Sequence, residues 1–438
     1  MVVSAQVRSR STGDYMDLHA VIAALKITSE AEALEPDWTA SLATLPVGPL
    51  AFLQPAFVRN AGEAAGLPAE IIDRACATAA KVAATDALRA LAWHCHYCVY
   101  RAPHYPRAAI AAWPSLSAAL GERDTLFYLL ILLSGMPELQ RLYREHGVPA
   151  DVARATLFDI ERWMHVHHER HGDWGLAPDR INWLRNHMRG ELYQVGRLQF
   201  QFGAFAPGFP VFRHRRTDHV LALAGDGLRF RADGQLDGAG GVIDPDTAWI
   251  AHFDLGESDI RGVPISPFGA AQREEVRLSR ADWQPALSPG DPVLHLHIPA
   301  GGPMDFDACG QSLQQALEFF SRHFPQQPFV AFACSSWLLD AQLEQMLPPA
   351  SNLVRFLRET YLLPARSGGA GTLERVFGAA SIDPHTAPRD TTLRRAIADH
   401  LLAGGHLRGA RCFLFPRDLD WGSQVYRQRL IPTPADLR

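Results

Sequence analysis

The sequence predicts an α+β protein: an all-helical N-terminal domain over residues 1–190, followed by a mixed α/β domain over 191–438. Three observations carry this prediction. Up to residue 190 apolar residues recur at helical spacing, punctuated by proline and glycine, and strand patterns are scarce. From Val195 the period falls to two, as in Gly196-Arg197-Leu198-Gln199-Phe200-Gln201-Phe202. Finally, Pro292-Val293-Leu294-His295-Leu296-His297-Ile298 reads as a buried strand that breaks at Pro299, turns through Gly301-Gly302 and opens an amphipathic helix.

In the first half, Ile71 to Tyr100 reads as one long, alanine-rich central helix. Segments 106–120, 125–134, 137–146 and 149–171 follow as helices, each opening at or near a proline or a capping residue. Arg180 to Arg189 closes the set, capped by Asp179 and ended by Gly190. In the second half Val211 to His214, Leu228 to Arg231 and Thr247 to Leu255 read as strands, as do Phe329 to Trp337, Asn352 to Leu363 and Arg411 to Phe415. Helices are expected after Asp305, after Asp340 and over 392–402. Strands alternating with helices imply parallel pairing through crossovers.

Composition narrows the function. A chain of 438 residues exceeds what one core accommodates, and 47 % hydrophobic with 20 % charged residues is ordinary for a globular protein. A net charge of −5 supplies no global attraction to nucleic acid or an anionic membrane. Met1 to Leu18 has no apolar core of a secretory signal, and Leu126 to Leu133 is too short to span a bilayer. Six scattered cysteines then fit a reduced, cytoplasmic protein that is not associated with membranes.

Pleating puts His295 and His297 on one side of their strand and Leu294, Leu296 and Ile298 on the other. The turn after them, ending at a helix N-terminus, clusters backbone N–H groups where an anion is favoured. His94-Cys95-His96-Tyr97-Cys98 holds a single C-x-x-C, too few ligands for a structural zinc site, and no metal is expected. The histidines at 165, 167, 168 and 171 lack metalloprotease spacing and read as a solvated helix face. Arg213-His214-Arg215-Arg216 is the densest positive run, either a solvated turn or a phosphate contact. Arg366 to Gly371 matches an Arg-x-x-Gly-x-Gly string but follows the wrong strand, and it reads as a loop.

Several segments together resemble a known family: Gly196-Arg197-Leu198-Gln199-Phe200, Val263-Pro264-Ile265, Gly290-Asp291, His297 to Pro303, Cys334 with Ser336-Trp337-Leu338-Leu339-Asp340, and Ser351-Asn352. They are similar to bacterial two-domain acyltransferases with a helical N-acyltransferase N-terminal domain and a C-terminal domain like the GCN5-related N-acetyltransferase (GNAT) fold. The resemblance implies transfer of an acyl group from a thioester, acyl-CoA first, to a small-molecule amine, in a natural-product pathway. It also implies that the strand before the turn splays from its neighbour to bond pantetheine, with the donor held by Ile298, Pro299, Ala300, Gly301, Gly302, Pro303, Met304 and Asn352. The turn here departs from the usual Gln/Arg-x-x-Gly-x-Gly/Ala loop, which leaves a carrier-protein thioester or an aminoacyl-tRNA as alternative donors and an acyl-CoA sensor or scaffold as an alternative role. Proton transfer falls to His297 or His295. Cys334, Ser335 and Ser336 end the adjacent strand, where a thiol or hydroxyl meets the leaving sulfur or the acyl carbonyl, and Glu275 is a further base candidate beside the acidic residues Glu257, Asp259 and Glu274.

Overall fold

The computed structural model describes residues 16–428 apart from 103, 104, 122, 123 and 207, and most of the segment screened for a secretory signal lies outside them. The chain divides into two compact units, Met1–Gln194 and Val195–Arg438.

The first unit is helical. The expected single helix through 71–100 is instead two, Ala69–Ala84 and Asp86–Tyr100, because Thr85 is extended between them and its hydroxyl bonds back to the Lys81 carbonyl at 3.0 Å. β-Branching and that local bond compete with helix continuation. The central buried element is Asp124–Leu133, where every side chain from Leu126 to Leu133 is shielded, as expected of a helix apolar all round. Segment 106–120 holds two short helices, Arg107–Ala111 and Ser117–Leu120, while Met136–His146, Ala150–His171 and Pro178–Met188 lie close to their expected bounds.

The second unit is built on a six-stranded sheet in the order Leu192–Val195, Leu198–Ala204, Pro292–His297, Ala331–Ser336, Ala410–Leu414, Tyr361–Pro364. Helix Phe306–His323 packs Leu313, Ala316, Phe320 and the following Phe324 inward, with Phe320 against Phe200 and Phe202. A five-stranded antiparallel sheet includes Val211–His214, Val220–Leu223 and Trp283–Leu287, and a three-stranded one joins Val276–Ser279, Asp259–Gly262 and Phe253–Leu255. Phe212, Leu221, Leu223, Ile260, Leu278 and Trp283 form a shared core.

Three expectations for this unit are corrected. Thr247 to Leu255 is not one strand, since Trp249–Ile250 and Phe253–Leu255 belong to separate sheets. Segment 352–363 is not one strand: Asn352–Glu359 is a helix, capped by the Ser351 hydroxyl on the Val354 N–H, and only Tyr361–Pro364 is extended. Parallel pairing holds for Pro292–His297 with Ala331–Ser336, but Ala410–Leu414 inserts antiparallel between Ala331–Ser336 and Tyr361–Pro364.

The helical unit buries two histidines as neutral groups. His94 Nδ1 lies 2.8 Å from the Ser41 hydroxyl and His96 Nδ1 lies 2.7 Å from that of Ser134. Burial pushes His94 down to about 3, and burial with the Arg101 charge pushes His96 down to about 4. Both folded values lie below the unfolded one near 6.5, so at acid pH the unfolded chain binds more protons and stability falls. The loss begins below about pH 6.5, runs to about 4 for His96 and 3 for His94, and amounts to about 1.4 kcal/mol per pH unit for each. Urea midpoints measured at pH 7 and pH 5 should therefore differ clearly, and equal midpoints contradict this account.

Candidate functional site

The strand Pro292–His297 is held unequally by its two neighbours. Against Leu198–Ala204 it pairs along its whole length, from Pro292 with Ala204 to His297 with Gln199. Against the parallel strand Ala331–Ser336 pairing stops at His295 with Ala333, although that strand continues to Ser336 on its other side, opposite Ala410. The two parallel strands are therefore no longer paired beyond His295 and Ala333, toward their C-terminal ends.

Residues opposite one another in a ladder share a face. One face of the sheet carries Leu294, Leu296, Phe332 and Cys334 toward helix Phe306–His323, where Phe332 meets Phe200 and Phe200 meets Phe320. The other face carries His295, His297, Gln199, Gln201, Ala333 and Ser335 around the parting point. The pleat thus sorts the three consecutive candidates at the strand end: Ser335 shares the histidine face, while Cys334 and Ser336 face the opposite way.

The histidines are placed by the neighbouring strand. His297 Nε2 lies 3.1 Å from Gln201 Oε1, an acceptor, so Nε2 carries the hydrogen and Nδ1 is the basic nitrogen of the neutral ring. His295 Nε2 donates to the Ala204 carbonyl at 3.2 Å, and burial lowers its pKa against the opposing effect of that bond. Its ring lies over Gly203, where a Cβ would approach Cδ2 to 2.4 Å. Cys334 faces Cys412 across the antiparallel pair, and that thiol–thiol hydrogen bond together with burial raises its pKa well above the ordinary range. It is a core thiol rather than an activated nucleophile. The Ser336 hydroxyl accepts from the Leu338 N–H at 3.2 Å and caps the short turn Trp337–Leu339. Glu275 is exposed and leads into the edge strand Val276–Ser279 of the three-stranded sheet, so it is not brought together with the histidines.

Pro299 to Met304 forms a turn between the strand and the helix, buried at Pro299, exposed from Ala300 to Pro303 and half-buried at Met304, with φ of +99° at Gly301 and +148° at Gly302, values that glycine tolerates best. Asp305 caps the helix by accepting from the Ala308 N–H at 2.8 Å. Asn352 lies half-buried at the start of Asn352–Glu359, a helix that packs against Phe306–His323. Arg197 received no role from the sequence, yet its guanidinium donates to the Pro299, Gly302 and Pro303 carbonyls at 3.0, 3.1 and 3.0 Å. The positive charge beside the turn comes from a residue about a hundred positions upstream, a pairing that no local pattern near the turn reveals.

Three remaining sequence features are resolved by packing. In the basic run, Arg213 is buried, pairs with Asp418 at 3.0 Å and lies over Phe415, while His214 Nδ1 accepts from the Arg216 and Thr217 N–H groups, so the run builds a hairpin. The histidines at 165–171 are not all solvated: His168 stacks on Trp174 at 4.2 Å and His167 meets Asp173 at 3.3 Å. Cys95 and Cys98 are buried, and among the described residues no cluster of His, Cys, Asp or Glu is arranged to hold a metal ion.

Comparison with known proteins follows the same division. Residues 57–190 match the N-acyltransferase N-terminal domain and residues 192–414 the GNAT-like C-terminal domain. Among solved structures, an acyltransferase variant in complex with octanoyl-CoA superposes with a TM-score of 0.59 at 23 % identity, over 91 % of this chain and 99 % of that one. An acyltransferase in complex with decanoyl-CoA and teicoplanin gives 0.58 at 24 %, with the same coverage. No curated protein sequence matches. Among the described residues no helix is long and apolar enough to cross a membrane. With both domain types matched in order along the chain, this protein belongs to the two-domain acyltransferases that join an N-acyltransferase N-terminal domain to a GNAT-like C-terminal domain, and it is an acyltransferase.

Proposed function

We propose that the chain is an N-acyltransferase that moves an acyl group from acyl-CoA to the amine of a small molecule in a natural-product pathway. The observation that carries this reading is the parting of two parallel strands beyond His295 and Ala333, followed at once by the Pro299–Met304 turn and a capped helix. An extended pantetheine arm presents amides that suit main-chain partners where such pairing ends, and a helix N-terminus favours the charge of a pyrophosphate. The solved acyltransferases of the same fold in complex with octanoyl-CoA, decanoyl-CoA and teicoplanin support an acyl-CoA donor over a carrier protein or a tRNA, and a small-molecule acceptor.

The chemistry follows from the polar face. The amine lone pair attacks the thioester carbonyl carbon, a C–N bond forms, and the C–S bond breaks as the tetrahedral adduct collapses. His297 Nδ1 takes the proton that the nitrogen loses, with Gln201 fixing the ring. The Ser335 hydroxyl, exposed on the same face, is the group offered to the departing thiolate. Cys334 takes no part, because its thiol points to the helix side and is held protonated. It should resist thiol reagents in the native protein and react only on unfolding, and rapid native labelling sinks the direct-attack reading.

Acyl-CoA should raise the melting temperature, since a ligand at a hundred times its Kd contributes about 2.7 kcal/mol. With an amine found by mass spectrometry to accept octanoyl or decanoyl groups, His297→Ala should lower turnover about 10²-fold or more. A loss below threefold makes His297 a structural residue. Gly302→Val, strained at φ +148°, should raise the donor KM with little change in turnover, and an unchanged KM removes the turn from the donor site.

A further inference from the structure

Resting on the donor assignment above, we infer that Arg197 is a positioning residue that shapes the donor turn for the nucleotide half of its thioester substrate. Arg197 occupies the second position of the two-residue turn Gly196-Arg197, between strands Leu192–Val195 and Leu198–Ala204. That hairpin is fastened to helix Phe306–His323 through Ser312, whose hydroxyl donates to the Val195 carbonyl and accepts from the Leu198 N–H at 3.1 Å. Gly196, at φ +63°, lets the backbone come close: a Cβ there would approach Gln315 Oε1 to 3.0 Å and the Ser312 side chain to 3.3 Å. The hairpin tip is therefore seated on the second and third turns of the helix, with Arg197 reaching the loop that precedes it.

From that seat the planar guanidinium gathers three carbonyls, those of Pro299, Gly302 and Pro303. A trans peptide sets its C=O and the next N–H on opposite sides. Turning the Pro299 and Pro303 carbonyls onto Arg197 directs the N–H groups of Ala300 and Met304 away from it, while Pro303 has no N–H to follow the Gly302 carbonyl. Without the clamp, a turn containing Gly301 and Gly302, both at positive φ, has many other conformations open to it. Arg197 thus selects the one in which two donors face outward, as an anionic group requires. Lysine, a point charge without the planar fork, does not reproduce the arrangement.

The test compares two donors differing only in the nucleotide, octanoyl-CoA and octanoyl-pantetheine, binding to the full chain by calorimetry. In Arg197→Met the Kd for octanoyl-CoA should rise about tenfold or more, while that for octanoyl-pantetheine changes less than twofold. Arg197→Lys should behave like the methionine variant. Arg197→Gln, which keeps a shorter donor on the hairpin, should show the same split and serves if the methionine variant does not fold. Equal weakening of both donors, no weakening of either, or full rescue by lysine overturns the inference. Failure of the unaltered protein to bind octanoyl-CoA would refute the donor assignment itself, a result distinct from any of these.

Discussion

The unequal pairing of Pro292–His297 is the constraint on which the rest of the second unit depends. One neighbour holds the strand along its whole length, and the other releases it after His295. A strand bonded fully on both sides would offer no edge to a ligand, and one bonded on neither would not hold its side chains in register. Partial release preserves the register through Leu198–Ala204, so that His297 still meets Gln201 where the parallel neighbour has turned away. One face supplies the rigidity: Phe200, Phe202, Phe320 and Phe332 lock the strands to the long helix, while the opposite face turns polar only around the parting point, at His295, His297, Gln199, Gln201 and Ser335.

What could be read from the chain alone followed the range of the interaction. The strand, turn and helix from Pro292 to His323 were legible because period-two alternation, two glycines between prolines and an i, i+3, i+4 stripe are all local. The helix Asn352–Glu359 was missed although Ser351 and the spacing of Val354 and Leu357 mark it, because the extended Tyr361–Pro364 directly behind it has the stronger apolar run. The identity of the polar face was out of reach for another reason. Cys334, Ser335 and Ser336 are equivalent as letters, and only the register with His295 and Cys412 decides which side each faces. Arg197 is the extreme case, since its partners are distant in sequence and are main-chain carbonyls with no side-chain signature.

Charge in the sequence proved a poor guide to charge at the surface. The run Arg213 to Arg216 has the composition of a phosphate patch, yet its first member is buried against Asp418 and its histidine accepts backbone N–H groups. A buried pair of this kind is costly to break, because removing Asp418 would strand a desolvated guanidinium. The run belongs to the architecture of the five-stranded sheet, whereas Arg197, a single arginine outside any basic run, is the one that bonds the carbonyls of the Pro299–Met304 turn.

Gly203 has a consequence for anyone who would stabilise this enzyme. A glycine inside a strand lowers stability by roughly 0.5–1 kcal/mol relative to alanine, which makes it an obvious position to fill. Here the empty position is occupied by the His295 ring, so the vacancy in one strand is the seat of a side chain from the next. Filling it would trade order on the histidine face for order in the backbone. The weak point of the strand and the shape of the polar face are one feature, and they cannot be optimised separately.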